Sequence, residues 1–354
     1  MTNPSVSKPR DLADLAALSA EIGRDPVLIQ AAGGNTSVKD DGVMWIKASG
    51  TWLAHAQEKD IFVPVALAPL TDAMERGDPA AEKAQDFVIA DLNPGGLRPS
   101  IETTVHAVFP QRVVIHVHCV DTIAVAVQQD FETIAAARLS GHDHISVPYC
   151  RPGLPLSQAL KDQIGPGTDV AILGNHGLVV AADDVEAAHA LLSDICGRQC
   201  QPVRSAPRPD TDALLALAGD NYRLPAEPGA HAVACDPVSL AAARAGSLYP
   251  DHVIFLGAGS VIAEDGETAD AVAARIRASG RPDPVSILFP GKGVLMHRDA
   301  NAGAEALALC LSDVTARLPA NAALHTLTDE EVDQLLNWDA EKYRQTLNRA
   351  GSTA

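Results

Sequence analysis

The run Val113-Val114-Ile115-His116-Val117-His118 constrains this chain more than any other stretch. Apart from its two histidines it is wholly β-branched and apolar, the composition of a strand buried on both faces. Successive side chains leave a strand on opposite faces, so His116 and His118 project from the same one. A core must therefore close around two imidazoles, and each needs a polar partner. Two readings satisfy that demand. The histidines are hydrogen-bonded to backbone, or they are ligands of a divalent metal such as zinc, for which neutral imidazole is a good donor. Catalytic zinc commonly takes three protein ligands and keeps one position open, so the second reading needs a further ligand from elsewhere.

Strands and helices alternate around this run. Leu12, Leu15, Leu18 and Ile22 recur at helical spacing and predict a helix over residues 10–23, followed by an extended segment Val27–Gln30. NTSVK and VMWIK read as two short strands joined at Asp41-Gly42, a dipeptide that suits a tight hairpin because glycine accepts positive φ. IFVPVAL, residues 61–67, reads as a strand, residues 71–98 as charged and irregular, and 99–109 as a helix opening after Pro99. Beyond the histidine strand come a helical DTIAVAVQQ, an extended HISVPY, a strand TDVAILG, a turn at Asn175-His176-Gly177, a strand LVVAA and a helix from Asp183 to about Gln199.

Residues 201–210, QPVRSAPRPD, are rich in proline and arginine and read as a surface linker. Helices at about 236–246, 267–278, 302–317 and 328–349 follow, interleaved with strands HVIFL, SILF and VLM. With 354 residues the chain exceeds the usual span of one domain, so a first domain over 1–200 and a smaller α/β domain over 211–354 are expected. No internal repeat is evident. The last predicted helix carries Leu335, Leu336, Trp338 and Tyr343 among charged residues, which suits docking on its own domain or on another subunit.

Charge excludes some partners. With 27 Lys and Arg against 45 Asp and Glu the formal net charge is −18, which disfavours nucleic-acid backbones and anionic membranes. An anionic small molecule remains compatible where a local pocket is positive. The N-terminus lacks an apolar stretch behind a basic start, and the apolar runs elsewhere are interrupted, so neither export nor membrane spanning is expected. Six scattered cysteines read as reduced thiols of a cytoplasmic protein, with Cys196 and Cys200 assigned to core packing.

Three further segments carry candidate chemistry. His176 stands at a strand end in Gly174-Asn175-His176-Gly177, where ordinary turn chemistry is the alternative. Glu102 falls in the first turn of the helix expected after Pro99, where a carboxylate also serves simply to stabilise the helix dipole, and His106 shares its helix face. Gly33-Gly34-Asn35-Thr36-Ser37 has the small and polar residues that bring backbone N–H groups close to an anion, or that merely turn into a hairpin. Gly257-Ala258-Gly259 lacks the spaced third glycine of a dinucleotide loop.

In order, GGNTS, KASG, PSIE, HVH and NHG make a chain that resembles the class II aldolase and adducin family over residues 10–200. The resemblance implies a three-layer α/β/α domain with a mixed, largely antiparallel sheet, and a homo-oligomer, typically a cyclic tetramer with active sites between subunits. It implies a zinc ion, or Mn²⁺, Co²⁺ or Fe²⁺ in its place, on His116, His118 and His176, with Glu102 as the catalytic carboxylate. Gly34, Asn35, Ser49, Gly50 and Ser100 match the family's substrate and phosphate pocket. Ile101 departs from the pattern, because many sugar-phosphate aldolases have a second serine there; Lys47 and Lys292 are the candidate lysines to compensate. The implied activity is reversible aldol cleavage of a sugar or sugar phosphate through a metal-stabilised enediolate. Alternatives are a related epimerase, decarboxylase or dehydratase, and a non-catalytic adducin-like scaffold. PDHVIFLGAG, PGKGVL and NWDAEKYRQ also look like longer members in which a rhamnulose-phosphate-aldolase-like half precedes a dehydrogenase.

Overall fold

A computed structural model describes residues 7–338. In chain order the first two hundred residues form α1 (Leu12–Gly23), β1 (Asn35–Asp40), β2 (Val43–Lys47), β3 (Phe62–Ala66), α2 (Leu67–Glu75), α3 (Thr103–Val108), β4 (Val113–Val117), α4 (Val120–Ala126), α5 (Phe131–Arg138), β5 (His144–Val147), α6 (Leu154–Lys161), β6 (Val170–Leu173), β7 (Gly177–Ala182) and α7 (Val185–Gln199). The chain divides into two compact units, one comprising residues 1–119 and 135–199, the other 120–134 and 200–354. The second unit is thus discontinuous in sequence.

The first unit is a three-layer α/β/α domain. Its seven-stranded sheet runs in the order β3-β2-β1-β4-β7-β6-β5. Every pairing is antiparallel except β5 with β6. α1 and α7 pack against one side, and α2, α3 and α6 cluster on the other. The register is set by burial. Val114 joins Val105 and Phe109 of the α3 segment in one core cluster with Leu156 and Leu160 of α6. The residues two and four further along the β4 face are the two histidines, so the sheet's own alternation turns them towards α3. The β1–β2 hairpin turns at Asp41 and Gly42, with φ of 45° and 78°, the two positive values of a type I′ turn.

The second unit contains α8 (Thr211–Leu217), β8 (Tyr222–Arg223), α9 (Ala232–Cys235), α10 (Pro237–Ala245), α11 (Pro250–Leu256), α12 (Ala269–Ala278), β9 (Ser286–Phe289), β10 (Gly293–His297), α13 (Ala302–Ala316) and α14 (Asp329–Asn337). Its sheet has the order β8-β10-β9 and is antiparallel. Arg204 knits this unit together, donating to Asp236 Oδ2, Ser239 Oγ and the Thr315 and Leu318 carbonyls.

Several expectations fail for identifiable reasons. HVIFL is helix α11 and not a strand: Pro250 opens it at the first helical position, and every residue in it is buried, so no amphipathic period marks it. Leu67–Glu75 is helical where a strand end and an irregular stretch were expected. Residues 26–28 form a turn instead of an extended segment, with Leu28 and Ile29 N–H donating to the Asp25 carbonyl. α3 starts only at Thr103, which leaves Glu102 as its N-cap residue. Cys200 is exposed, contrary to its assignment to the core. The final helix is described to Asn337; the expected continuation through Tyr343 lies outside the described residues. Among the described residues no helix is long and apolar enough to cross a membrane.

Candidate metal centre

Three local features converge on the end of β4. Antiparallel pairing sets Asn35 of β1 directly opposite His116, and Val179 of β7 on its other side. The β6–β7 connection then returns the chain beside Val117 and His118. Asn175 takes φ of 53°, and Gly177 lies so close that an added Cβ would stand 2.4 Å from the Val117 carbonyl oxygen. Glycine is required there, and the tight return places His176 over the histidine pair. On the other side Gly34, with φ of 60°, presses its Cα against the His116 carbonyl, 2.8 Å from where a Cβ would sit. The glycine-asparagine loop is therefore seated on the strand that bears the histidines.

Glu102, His116, His118 and His176 come together as a buried group whose candidate ligand atoms all lie within 4.8 Å of one another. The three imidazole rings form a triangle with centroids 4.8 to 5.1 Å apart. His116 is fully buried and its Nδ1–H donates to the Leu178 carbonyl at 3.0 Å, which leaves the Nε2 lone pair directed at the centre. His118 Nε2 lies 3.1 Å from it. The Glu102 carboxylate closes the group, with Oε2 3.4 Å from His116 Nε2 and Oε1 3.3 Å from His176 Nε2.

A divalent cation fits this donor set. A tetrahedral zinc with Zn–N bonds of about 2.0–2.1 Å holds its nitrogens roughly 3.3 Å apart, close to the spacing of the His116 and His118 nitrogens. With His116 Nε2 unprotonated, that contact is a hydrogen bond donated by His118 Nε2–H in the metal-free protein, and the same two nitrogens are spaced to share a cation once His118 gives up that proton. Glu102 Oε1 is buried and accepts no hydrogen bond, a costly state for a carboxylate oxygen unless positive charge faces it.

Electrostatics support an ionised Glu102. Burial alone would raise its pKa, but His116, His176 and His118 oppose that, the Asn35 amide adds a hydrogen bond, and the net result is a drop from 4.5 to about 2. His106, one helical turn further along α3, is held neutral: burial lowers its pKa well below 6.5, the Lys39 charge and any protonation of His116 lower it further, and Glu102 pulls the other way.

The other expected site residues fall into two groups. Lys47 is buried and donates to the Ala32 and Gly34 carbonyls at 2.8 and 3.0 Å, so it braces the glycine loop from beneath. Ser49-Gly50 and Ser100 are neighbours, because Ala48 and Pro99 form an antiparallel bridge and Ser100 N–H donates to the Lys47 carbonyl. Ser100 Oγ accepts from the Glu102 N–H at 3.2 Å, so one of its lone pairs is engaged at the start of α3. Ile101 is half-buried between them. Lys292 lies exposed in the β9–β10 turn of the second unit. The signal that sequence reasoning did not exploit is Ser37 and His106. Ser37 Oγ is 2.7 Å from His106 Nδ1, and His106 Nε2 meets Asn35 Oδ1.

Residues 13–195 match the model of the Class II Aldolase and Adducin N-terminal domain. A Bacillus subtilis (strain 168) protein named uncharacterized oxidoreductase YuxG is 29% identical over 196 residues, covering 51% of this chain and 28% of that protein. The chain thus spans less than a third of that relative's length. Among solved structures, the N-terminal class II aldolase domain of a conserved protein from Thermoplasma acidophilum is 26% identical with a TM-score of 0.48, over 56% of this chain and 97% of that one. YgbL from Klebsiella pneumoniae, a putative aldolase/epimerase/decarboxylase, is 22% identical with a TM-score of 0.39, over 53% and 87%. An L-fuculose 1-phosphate aldolase is 19% identical with a TM-score of 0.37, over 55% and 84%. Because the family match runs through more than half of its length, this chain belongs to the class II aldolase and adducin N-terminal domain family.

Proposed function

We propose that this protein is a metal-dependent carbon–carbon lyase that catalyses reversible aldol cleavage of a sugar or sugar phosphate. The observation that carries the reading is the intact buried set of three histidines and one ionised carboxylate. His116, His118 and His176 are assigned as ligands of a zinc ion, with Mn²⁺, Co²⁺ and Fe²⁺ as alternatives. Bound there, the cation supplies a Lewis acid for a carbonyl oxygen. Glu102 carries the proton. In the addition direction its carboxylate takes a proton from the carbon beside the carbonyl, and the oxygen of the aldehyde takes one from water as it becomes a hydroxyl; in cleavage that hydroxyl gives its proton to water as the carbon–carbon bond breaks, and the freed carbon receives a proton from water through Glu102. Its depressed pKa makes it a carboxylate at neutral pH, the form the addition direction needs.

Gly34, Asn35, Ser49, Gly50 and Ser100 are assigned to the polar or phosphorylated end of the substrate, supported by their packing around the start of α3 and the end of β2. With Ile101 in place of a hydroxyl, free ketoses and hydroxy-keto acids belong in the substrate panel beside ketose phosphates. The family resemblance extends the proposal to a homo-oligomer, a tetramer foremost. An adducin-like scaffold has no need of four matched polar groups buried in a core, so the enzyme reading is preferred.

The test is retro-aldol release of an aldehyde from that panel by metal-loaded protein. Turnover by wild type, with Glu102→Gln lowering kcat by roughly 10²–10⁴-fold, is the expected result. Equal turnover by Glu102→Gln would overturn the assigned role. Epimerised or decarboxylated product without net cleavage would reassign the reaction within the same centre.

A further inference from the structure

We propose that His106 is a positioning residue that acts through Asn35, locking the amide so that its Nδ2, and not its Oδ1, faces Glu102. The inference rests on the reading of Glu102 as the proton carrier and goes beyond it, because His106 is not among the residues that form the metal group. It starts from spacing. Asn35 and Ser37 are two apart on β1 and share a face, separated by about 6.7 Å along the strand. Glu102 and His106 are four apart, with His106 N–H donating to the Glu102 carbonyl in the helical manner, and are separated by about 6 Å along the axis. The two rows therefore run in step, and their side chains interdigitate in the order Glu102, Asn35, His106, Ser37.

The hydrogen bonds in that row have only one consistent direction. An ionised Glu102 only accepts, so the 2.9 Å contact with Asn35 is a donation from Nδ2 to Oε2. That leaves Oδ1, an acceptor, turned towards His106 Nε2, which must carry the ring's hydrogen. A neutral imidazole has one N–H, so Nδ1 is a lone pair and accepts from the Ser37 hydroxyl at 2.7 Å. Every polar atom between Ser37 and Glu102 is thereby satisfied in a fully buried setting. Without the His106 donor, nothing distinguishes the two ends of the amide except Glu102 itself, and a flipped amide would set oxygen against carboxylate. The consequence for function is orientation. Oε2 is pinned by Asn35, so the oxygen left to handle a proton is Oε1, the one that receives no hydrogen bond.

The experiment uses full-length protein. In His106→Leu, kcat for the member of the substrate panel that wild type turns over should fall by about 10–100-fold, with KM and metal content within about twofold of wild type. His106→Gln, which restores an N–H donor, should recover most of the loss. His106→Leu added to Asn35→Ala should cost nothing beyond Asn35→Ala alone, since His106 acts through that amide; full additivity would overturn the proposal. The ¹H–¹⁵N signals of the Asn35 side chain give a readout independent of turnover. They should shift in His106→Leu and return in His106→Gln, and unchanged signals in His106→Leu would overturn the proposal. Should that variant not fold, Ser37→Ala carries the same test: a smaller shift of the Asn35 signals supports the coupling, and no shift contradicts it. If wild type turns over no substrate, the lyase reading fails, while the amide signals still decide whether His106 sets Asn35.

Discussion

At the residue scale, Glu102 is a buried carboxylate held ionised against the effect of its burial. Its pKa is depressed in the fold, so the sign of its linkage is fixed: the stability it contributes is present above 4.5 and is lost as pH falls towards about 2. The stability difference between metal-free wild type and Glu102→Gln, from urea unfolding at a series of pH values, should therefore shrink across that window. A constant difference would show that the carboxylate is not held ionised by the histidines. Gly34 makes a second residue-level case. Its positive φ, and a Cβ that would sit 2.3 Å from Ile29 Cδ1 and 2.8 Å from the His116 carbonyl, leave no space for a side chain. Gly34→Ala should cost about 1–3 kcal/mol in chemical denaturation. The four residues of the metal group stand out in the sequence only through the ordered set of short contiguous motifs that carries the family resemblance, since each of them taken singly has an ordinary structural role. The Ser37–His106–Asn35–Glu102 row does not stand out, since Asn35 and His106 are 71 residues apart and only the β1–α3 packing joins them.

Legibility at the element scale follows burial asymmetry. α1 was readable because Leu12, Leu15, Leu18 and Ile22 form a buried stripe against exposed neighbours, and Leu15→Ala there should cost about 2–5 kcal/mol in the same denaturation measurement. The β1–β2 hairpin was readable because Asp-Gly answers the dihedral demands of its turn. α11 was not, since a helix buried on all sides carries no period and its apolar run reads equally as a strand. α2 shows a different failure: its start continues the apolar run of β3 without a break, and tertiary packing decided where strand became helix.

For the whole molecule, the sheet order β3-β2-β1-β4-β7-β6-β5 explains why the site lies where it does. β4 is central, so its end receives the β1 loop on one side and the β6–β7 return on the other. A cation bound only by the folded state stabilises that state, by about 2.7 kcal/mol at a hundred times its Kd. Zinc should therefore raise the midpoint of thermal unfolding of chelator-treated protein, and the shift should be absent in His116→Ala. The most direct measurement is the metal content of purified protein by elemental mass spectrometry. One divalent metal per chain in wild type, lost in both His116→Ala and His176→Ala, is the predicted result. Full occupancy surviving in both variants would contradict the assignment of these histidines as the metal centre.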